Sequence, residues 1–455
     1  MNHPGVLFLA PVLAAALLLL LPRRIAGYAW PSVLVALVSL FEIRWLLGAP
    51  PGTAWSLWGL ELRVVAFNRW ALALIYVVLG LALVIHGRLH SGRGLFLVGL
   101  TVQSSISLAL LSSDLLVQAS LIVASAIAIA FGVSGRGRPA GHSALGYLAF
   151  MMVGGGSLSL AFPLIQTYAL APDNVSLVRV IVVLVALALA IATAAVPLHF
   201  WLDWIGAYGH RLGVTIATVV VPASTLVLFI ALTRGQSWLW GNNELVTVLV
   251  YLGLLAIAGG ALAVALADRP GRLAANLLVL QGGYILLAMS TFSESGLALA
   301  LWQTMVRSLG ALLMFGCLAA AEVGQGGRKA EKRTWLVSGA SVAAVGFGLG
   351  GLMALGAPLT AGFVAPWLVR QGFTAMVPWF DGLALLASGL AYLGLAKGFY
   401  FTFWLPLKAG QAITLPVDVQ VLLTAMAAAA VVLGLFPRSL LEPLYRLSVA
   451  FLAAK

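Results

Sequence analysis

The chain has 455 residues, of which 62% are hydrophobic and only 8% are charged. A water-soluble domain carries about 25% charged residues, so this composition excludes a soluble globular fold. The net charge of +12 lies mainly in short intervals between apolar runs, where it orients a membrane protein and is no sign of nucleic-acid binding.

In chain order, runs that can cross about 30 Å of hydrocarbon as roughly 20 residues of helix fall at 5–21, 29–47, 64–85, 94–112, 114–133, 143–163, 176–201, 213–232, 244–266, 272–291, 296–320, 335–376, 380–404 and 418–436. The expectation is an all-α polytopic membrane protein of about fourteen transmembrane helices. Arg23 and Arg24 follow the first run, the reverse of a cleavable signal, so that run is expected to remain as the first helix. Cys317, the single cysteine, lies in an apolar run and supports neither a disulfide framework nor a thiolate metal cluster. No Gly-rich phosphate loop follows a strand, and no Cys/His spacing suits zinc or haem. Neither a cofactor, a metal nor a catalytic residue is therefore expected.

Counting helices assigns fourteen basic residues to one side, from Arg23 and Arg24 through Arg328 and Lys329 to Lys408, and nine to the other. The excess of Lys and Arg marks the cytoplasmic side. Both termini are then expected on the periplasmic face of an inner membrane, with the 321–334 loop in the cytoplasm.

The seventh and twelfth runs each carry a proline interruption, at Val196-Pro197-Leu198-His199 and at Gly356-Ala357-Pro358-Leu359. Each is fourth in a series of five, so two units are expected, an odd number of helices giving the second the inverted sense. Matching broken helices in inverted halves point to a transporter-type architecture, though Pro and Gly are also simply tolerated in membrane helices. The divisions are 1–93 for three N-terminal helices, 94–232 and 244–404 for the two units, and 405–455 for a last helix and tail.

Several segments resemble the antiporter-like subunits of respiratory complex I and of multi-subunit cation/proton antiporters. Ser112-Ser113-Asp114-Leu115-Leu116 is similar to the family's NDLL, and Ala194 through Leu202 to its AAVPLHFWLPDA break. Val214 through Thr218 sits at PVTAFLST, Arg272 through Leu287 at KRLLAYSSIAHMGYILL, and Leu355 through Val364 at LAGIPPTAGFIG. The resemblance covers about residues 64–404 and implies fourteen helices, inverted five-helix repeats and partners that are other membrane subunits of a hetero-oligomeric complex in a lipid bilayer.

It also implies a row of buried ionisable side chains, because a proton crosses hydrocarbon only with titratable stations or sustained water. Carried over, the glutamate of the fifth helix falls on Val123 and the lysine of the seventh on Ala192. The eighth-helix lysine falls on Ala223, the tenth-helix histidine on Gln281, and the last lysine on Pro366. No lysine precedes Lys329, so no shift of register restores the seventh- or eighth-helix stations.

The remaining polar groups are candidates for a vestigial path, each with a plainer reading. Lys397 either marks a proton exit, snorkels to the interface or pairs with a neighbouring subunit. Arg307, midway along the eleventh run, should face the bundle or a partner and meet an acid or helix-end carbonyls. His199 follows the first break, where it either relays protons or bonds freed backbone. Asp203 reads more readily as a helix cap than as a proton donor, and Asp114 as the cap of the fifth helix. Gln103, Ser104, Ser105 and Ser107, with Gly154, Gly155 and Gly156, suit close helix packing, and Gly282-Gly283 and the Gly346–Gly351 cluster read alike.

The expected function is a membrane-arm subunit of a complex I-like or antiporter-like assembly, with a degenerate proton channel and a scaffold or coupling role. The alternatives are a proton- or cation-conducting subunit that borrows partner residues, and the membrane subunit of an inorganic-carbon uptake system. Any NADH:quinone oxidoreductase-type activity would belong to the assembly.

Overall fold

A segment in hydrocarbon must satisfy its own backbone hydrogen bonds, and a single apolar chain does so as helix. The computed structural model describes residues 4–20, 30–50, 52–57, 59–89, 92–135, 137–168, 174–236, 238–324, 342–404 and 415–453. Among them twelve helices are long and apolar enough to span a bilayer. The chain is thus a multi-pass, helical membrane protein.

The first six helices are α1 (Val6–Leu20), α2 (Trp30–Gly48), α3 (Ala66–Leu89), α4 (Gly94–Leu111), α5 (Leu115–Val133) and α6 (Arg138–Tyr168). The seventh predicted run is two helices, α7 (Val175–Thr193) and the short α8 (Phe200–Tyr208). Then come α9 (Arg211–Gly235), α10 (Asn243–Leu266), α11 (Pro270–Ser290) and α12 (Glu294–Gly324). The twelfth run is likewise divided, into α13 (Val342–Leu355), a 3-10 turn at Ala361–Phe363 and α14 (Val364–Met376). The chain closes with α15 (Trp379–Phe399), α16 (Val417–Leu435) and α17 (Arg438–Ala453).

Two elements lie outside the helical expectation. An antiparallel hairpin, β1 (Ala54–Leu57) and β2 (Leu60–Arg63), lies in the interval between α2 and α3, with Gly59 at its turn at φ +82°. The tail beyond the last predicted run is the amphipathic α17, whose Phe451 ring packs edge-on against Phe67 of α3 at 5.2 Å. The basic residues Arg23, Arg24, Arg136, Arg328, Lys329, Lys332, Arg333, Lys408 and Lys455 lie outside the described residues.

The core is built on α9, α11 and α12, with every residue of α11 except Arg272 buried. Helices α2, α10, α15 and α16 bury less than half of their spanning windows and turn apolar faces outward. Glycine sets the closest approach: at Gly260 of α10 an added Cβ would lie 2.8 Å from the Leu280 backbone nitrogen of α11. Capping follows the expected chemistry at Asp114, whose carboxylate accepts from the Leu116 and Val117 amides at 2.8 and 3.1 Å and starts α5.

Candidate functional site

The two broken helices organise the interior. At the end of α7, Ala194 adopts the left-handed conformation (φ +59°), and the Ala195 amide reaches back to the Ala190 carbonyl at 2.7 Å. At the end of α13, Gly356 is left-handed (φ +73°) and the Ala357 amide bonds the Leu352 carbonyl at 2.9 Å. Both are Schellman-type closures, which satisfy carbonyls that have no partner further along the helix.

One helix serves both breaks. The Trp302 indole of α12 donates to the Ala361 carbonyl at 3.0 Å, inside the second break. Five residues on, Arg307 Nη1 donates to the Thr193 carbonyl at 2.9 Å, at the C-terminus of α7. A helix C-terminus carries partial negative charge, so a guanidinium is well matched to it. Gly282 makes the approach possible, since a Cβ there would lie 2.3 Å from the Thr193 oxygen and 3.2 Å from Arg307 Nη1.

Arg307 is fully buried, and its Nε and Nη2 have no partner among the described residues. Gln303, one turn earlier on α12, and Gln281, beside Gly282 on α11, are also fully enclosed, with both amides unpartnered among the described residues. This centre can donate hydrogen bonds to water or to another polar group. Among the described residues no carboxylate pairs with Arg307.

The other candidate residues lie elsewhere. Lys397, in the last turn of α15, is exposed and donates from Nζ to the Ala265 carbonyl at 3.3 Å. His199 is half-buried at the start of α8, stacked on Phe200 at 4.6 Å, with its Nδ1 unpartnered. Asp203 does not cap α8: no side chain does. It lies 3.0 Å from Arg272 Nε of α11 as an ion pair without hydrogen-bond alignment, and accepts from Asn276 Nδ2 at 3.4 Å. Arg272 also bonds Asp268 at 2.9 Å.

Two of the positions expected to carry charge meet in space. Val123 of α5 and Ala192 of α7 both line a cavity of about 30 Å³ that α6 and α9 complete. The Thr225 hydroxyl is the only polar side-chain group in its wall. The volume would admit a water, but a water needs at least two polar partners, and a wall of this kind stays dry. Ala223 is buried on α9, and Pro366 packs its ring 3.2 Å from where a Cβ on Gly356 would stand.

The polar residues of α4, Ser105 apart, pack against neighbouring helices, and they do so through hydrogen bonds. Ser104 donates to the Phe8 carbonyl at 2.9 Å and Ser105 only to its own helix, whereas Gln103 and Ser107 enter a buried network with Glu42 of α2. Gly154 and Gly155 do pack, against Ile191 and Val123, while Gly156 faces open space. Glu42 went unread in the sequence. Its signal was available, because one acid inside an otherwise apolar run is costly and calls for a function or a partner.

Residues 140–393, more than half of the chain, match the model of the NADH:quinone oxidoreductase/Mrp antiporter transmembrane family. The chain belongs to this family. Among curated proteins no sequence relative matches. Chains of solved structures share the fold at low identity. A chain of respiratory complex I from Thermus thermophilus with bound NADH is 20% identical, with 99% of both chains covered and a TM-score of 0.83. A chain of the membrane-bound sulfane sulfur reductase, an archaeal respiratory membrane complex, is 17% identical over 99% of this chain and 96% of that one, with a TM-score of 0.80. A chain of the Mrp complex from Dietzia sp. DQ12-45-1b is 16% identical over 99% and 97%, with a TM-score of 0.79. Val123 precedes the family match; Ala192, Ala223, Gln281, Arg307 and Pro366 fall inside it.

Proposed function

We propose that this antiporter-family chain is a membrane-arm subunit of a multi-subunit complex of the respiratory or antiporter kind, and that it positions and couples neighbouring subunits without a midplane proton path of its own. The observation that carries this is the apolar cavity shared by Val123 and Ala192. Where the family resemblance calls for an acid and a lysine, the chain offers two alkyl groups and one hydroxyl. A proton entering there would find neither a titratable group nor a hydrated route. The coupling half of the reading is supported by α12, whose Trp302 and Arg307 tie both broken helices to one rigid element.

In this reading the partners are other membrane subunits, as in the complexes to which the related folds belong. The setting is an inner membrane with both termini outside, and the two five-helix units are inverted with respect to each other. A conducting role is favoured by one observation, the unpaired donors of Arg307 beside enclosed Gln303 and Gln281. The test is proton flux into proteoliposomes that hold the whole assembly. Arg307→Ala and Lys397→Ala, compared with wild type at matched assembly levels, are expected to leave flux unchanged. Abolished flux in either variant with the complex intact would replace the scaffold reading with the conducting one.

A further inference from the structure

Glu42 stands ahead of residues 140–393, outside the family match. It is fully enclosed on α2. Its Oε2 accepts a hydrogen bond from Gln103 Nε2 of α4, and its Oε1 has no partner among the described residues. The same amide nitrogen donates to Ser39 Oγ at 3.3 Å, and Gln103 Oε1 is also without a partner. One turn along α4, the Ser107 hydroxyl donates to the Gln103 carbonyl at 2.5 Å and meets the Tyr76 hydroxyl of α3 at 2.6 Å. Gly80 lets α2 come this close, since a Cβ there would lie 3.0 Å from Ser39 Oγ.

Most donors in this cluster are already engaged; the Ser39 hydroxyl, which accepts from Gln103, still has one hydrogen to donate. Both hydrogens of the Gln103 amide are engaged, and the Tyr76 and Ser107 hydroxyls serve each other and the α4 backbone. Two enclosed oxygens, Glu42 Oε1 and Gln103 Oε1, are left over. Among the described residues no charged group on the surrounding helices is recorded as a partner of Glu42. Arg44, on α2 itself, is exposed. On α3, Arg69 is spent on the Ala49 carbonyl, His86 on the Gly92 carbonyl and Arg88 on Asp418. Neither α1 nor α4 has a titratable residue within its span. Tyr76, the titratable side chain of α3 in this network, is linked to Glu42 through Ser107 and Gln103.

A carboxylate closed off from water without a counter-charge is among the most costly arrangements a protein interior holds. We propose that Glu42, Gln103 and Ser39 form a membrane-embedded binding site for one monovalent cation taken from solution, with a proton as its occupant. Binding makes one O–H bond at Glu42 Oε1 and leaves a water where a hydronium was. The proton needs only that oxygen. A hard metal cation needs about six oxygens, and the side chains of this trio hold four, two on Glu42 and one each on Gln103 and Ser39. A single closed site stores a charge without providing a route across the membrane, so it stands independently of the scaffold reading.

The test uses the full-length protein in lipid nanodiscs, in sodium chloride and in choline chloride. Difference infrared spectra of wild type against Glu42→Gln at neutral pH are expected to show the carbonyl stretch of a protonated carboxyl in the wild type alone, alike in both salts. If that band is absent, and sodium raises the unfolding midpoint of the wild type but not of Glu42→Gln, the cation site stands and its occupant is sodium, which overturns the proton assignment. Absence of both effects overturns the site. Should Glu42→Gln fail to fold, Gln103→Leu keeps the carboxyl and removes its hydrogen bond, so the band is expected to move in frequency. A band that stays in place would belong to another residue and overturn the assignment.

Discussion

Arg307 Nη1 donates a 2.9 Å hydrogen bond to the carbonyl of Thr193, a residue 114 positions earlier, and so fastens α12 to the end of α7. A hydrogen bond to a charged group contributes about 1.5–3 kcal/mol. Against that stands the cost of enclosing a guanidinium with two donors unpartnered among the described residues, and a well-packed apolar side chain often does as well at such a position. Arg307→Met is therefore expected within about 1 kcal/mol of wild type. Arg307→Ala, which also opens a cavity, should lose about 3 kcal/mol. Denaturant titration in detergent measures both. A methionine variant as damaged as the alanine one would show that the bond and the donors outweigh the packing.

Gly282 is the contact point that lets Arg307 reach its carbonyl. An added Cβ would stand 2.3 Å from the Thr193 oxygen, a backbone atom that cannot rotate away. Gly282→Ala is expected to lower the unfolding midpoint by several degrees, roughly 1–3 kcal/mol of overpacking. Gly156→Ala, at a position with nothing within 4 Å, is expected to be neutral or to gain up to about 1 kcal/mol from helix propensity. Comparable losses at both positions would mean that the glycines act through helix flexibility and not through the contact.

What could be read without coordinates follows from how far each signal reaches along the chain. Run length and apolarity are local, so the spanning helices emerge directly, and Pro197 and Gly356 announce both breaks because each acts on its own turn. The cap at Asp114 is likewise a matter of neighbouring amides. The partners of Arg307, Asp203 and Glu42 are distant in sequence: Thr193, Arg272 and Gln103 come from other helices. Nothing in the residues near Asp203 distinguishes a cap from an ion pair with α11. The hairpin at 54–63 does not stand out because each strand is only four residues long, so the alternation of Leu60-Glu61-Leu62-Arg63 ends before it can be told from a loop.

Asp203 and Arg272 give a measurable test of that ion pair. The side chains are 16% and 29% exposed, so the pair is neither fully screened nor fully enclosed. A double-mutant cycle of Asp203→Asn and Arg272→Gln is expected to return a coupling of roughly 1 kcal/mol. Asp268 also holds Arg272, so Arg272→Gln should cost more than Asp203→Asn. Zero coupling would reduce the contact to a surface coincidence.

Orientation is open to direct labelling, because Cys317 is buried and gives little background. Single cysteines at Gly326 and at Lys455 probe an interval and a terminus that lie outside the described residues. With a cytoplasmic 321–334 loop and periplasmic termini, an impermeant maleimide added to intact cells is expected to label Lys455→Cys and to spare Gly326→Cys. Labelling of both from the same side would overturn the topology.

The cavity between Val123 and Ala192 gives the sharpest contrast with a conducting relative. Its wall holds one hydroxyl, and Gly155 is what gives Val123 room, since a Cβ there would lie 2.0 Å from Val123 Cγ2. An ionised carboxylate placed there alone has no counter-charge, and a charge at a helix centre in the membrane costs roughly 3 kcal/mol. Val123→Glu is expected to lose about that much stability, and Ala192→Lys a similar amount. The double variant places opposite charges across one small cavity and should recover about 1–3 kcal/mol of the sum, the range of coupling for residues in contact. Thermal unfolding of the two single variants and the double variant measures this. Proton flux through the double variant should stay at the wild-type level, because Ala223, Gln281 and Pro366 leave the rest of the row without ionisable groups. Single variants as stable as the double one would mean that the cavity already hydrates a charge. The apolar reading of this site, and with it the case against conduction, would then fail.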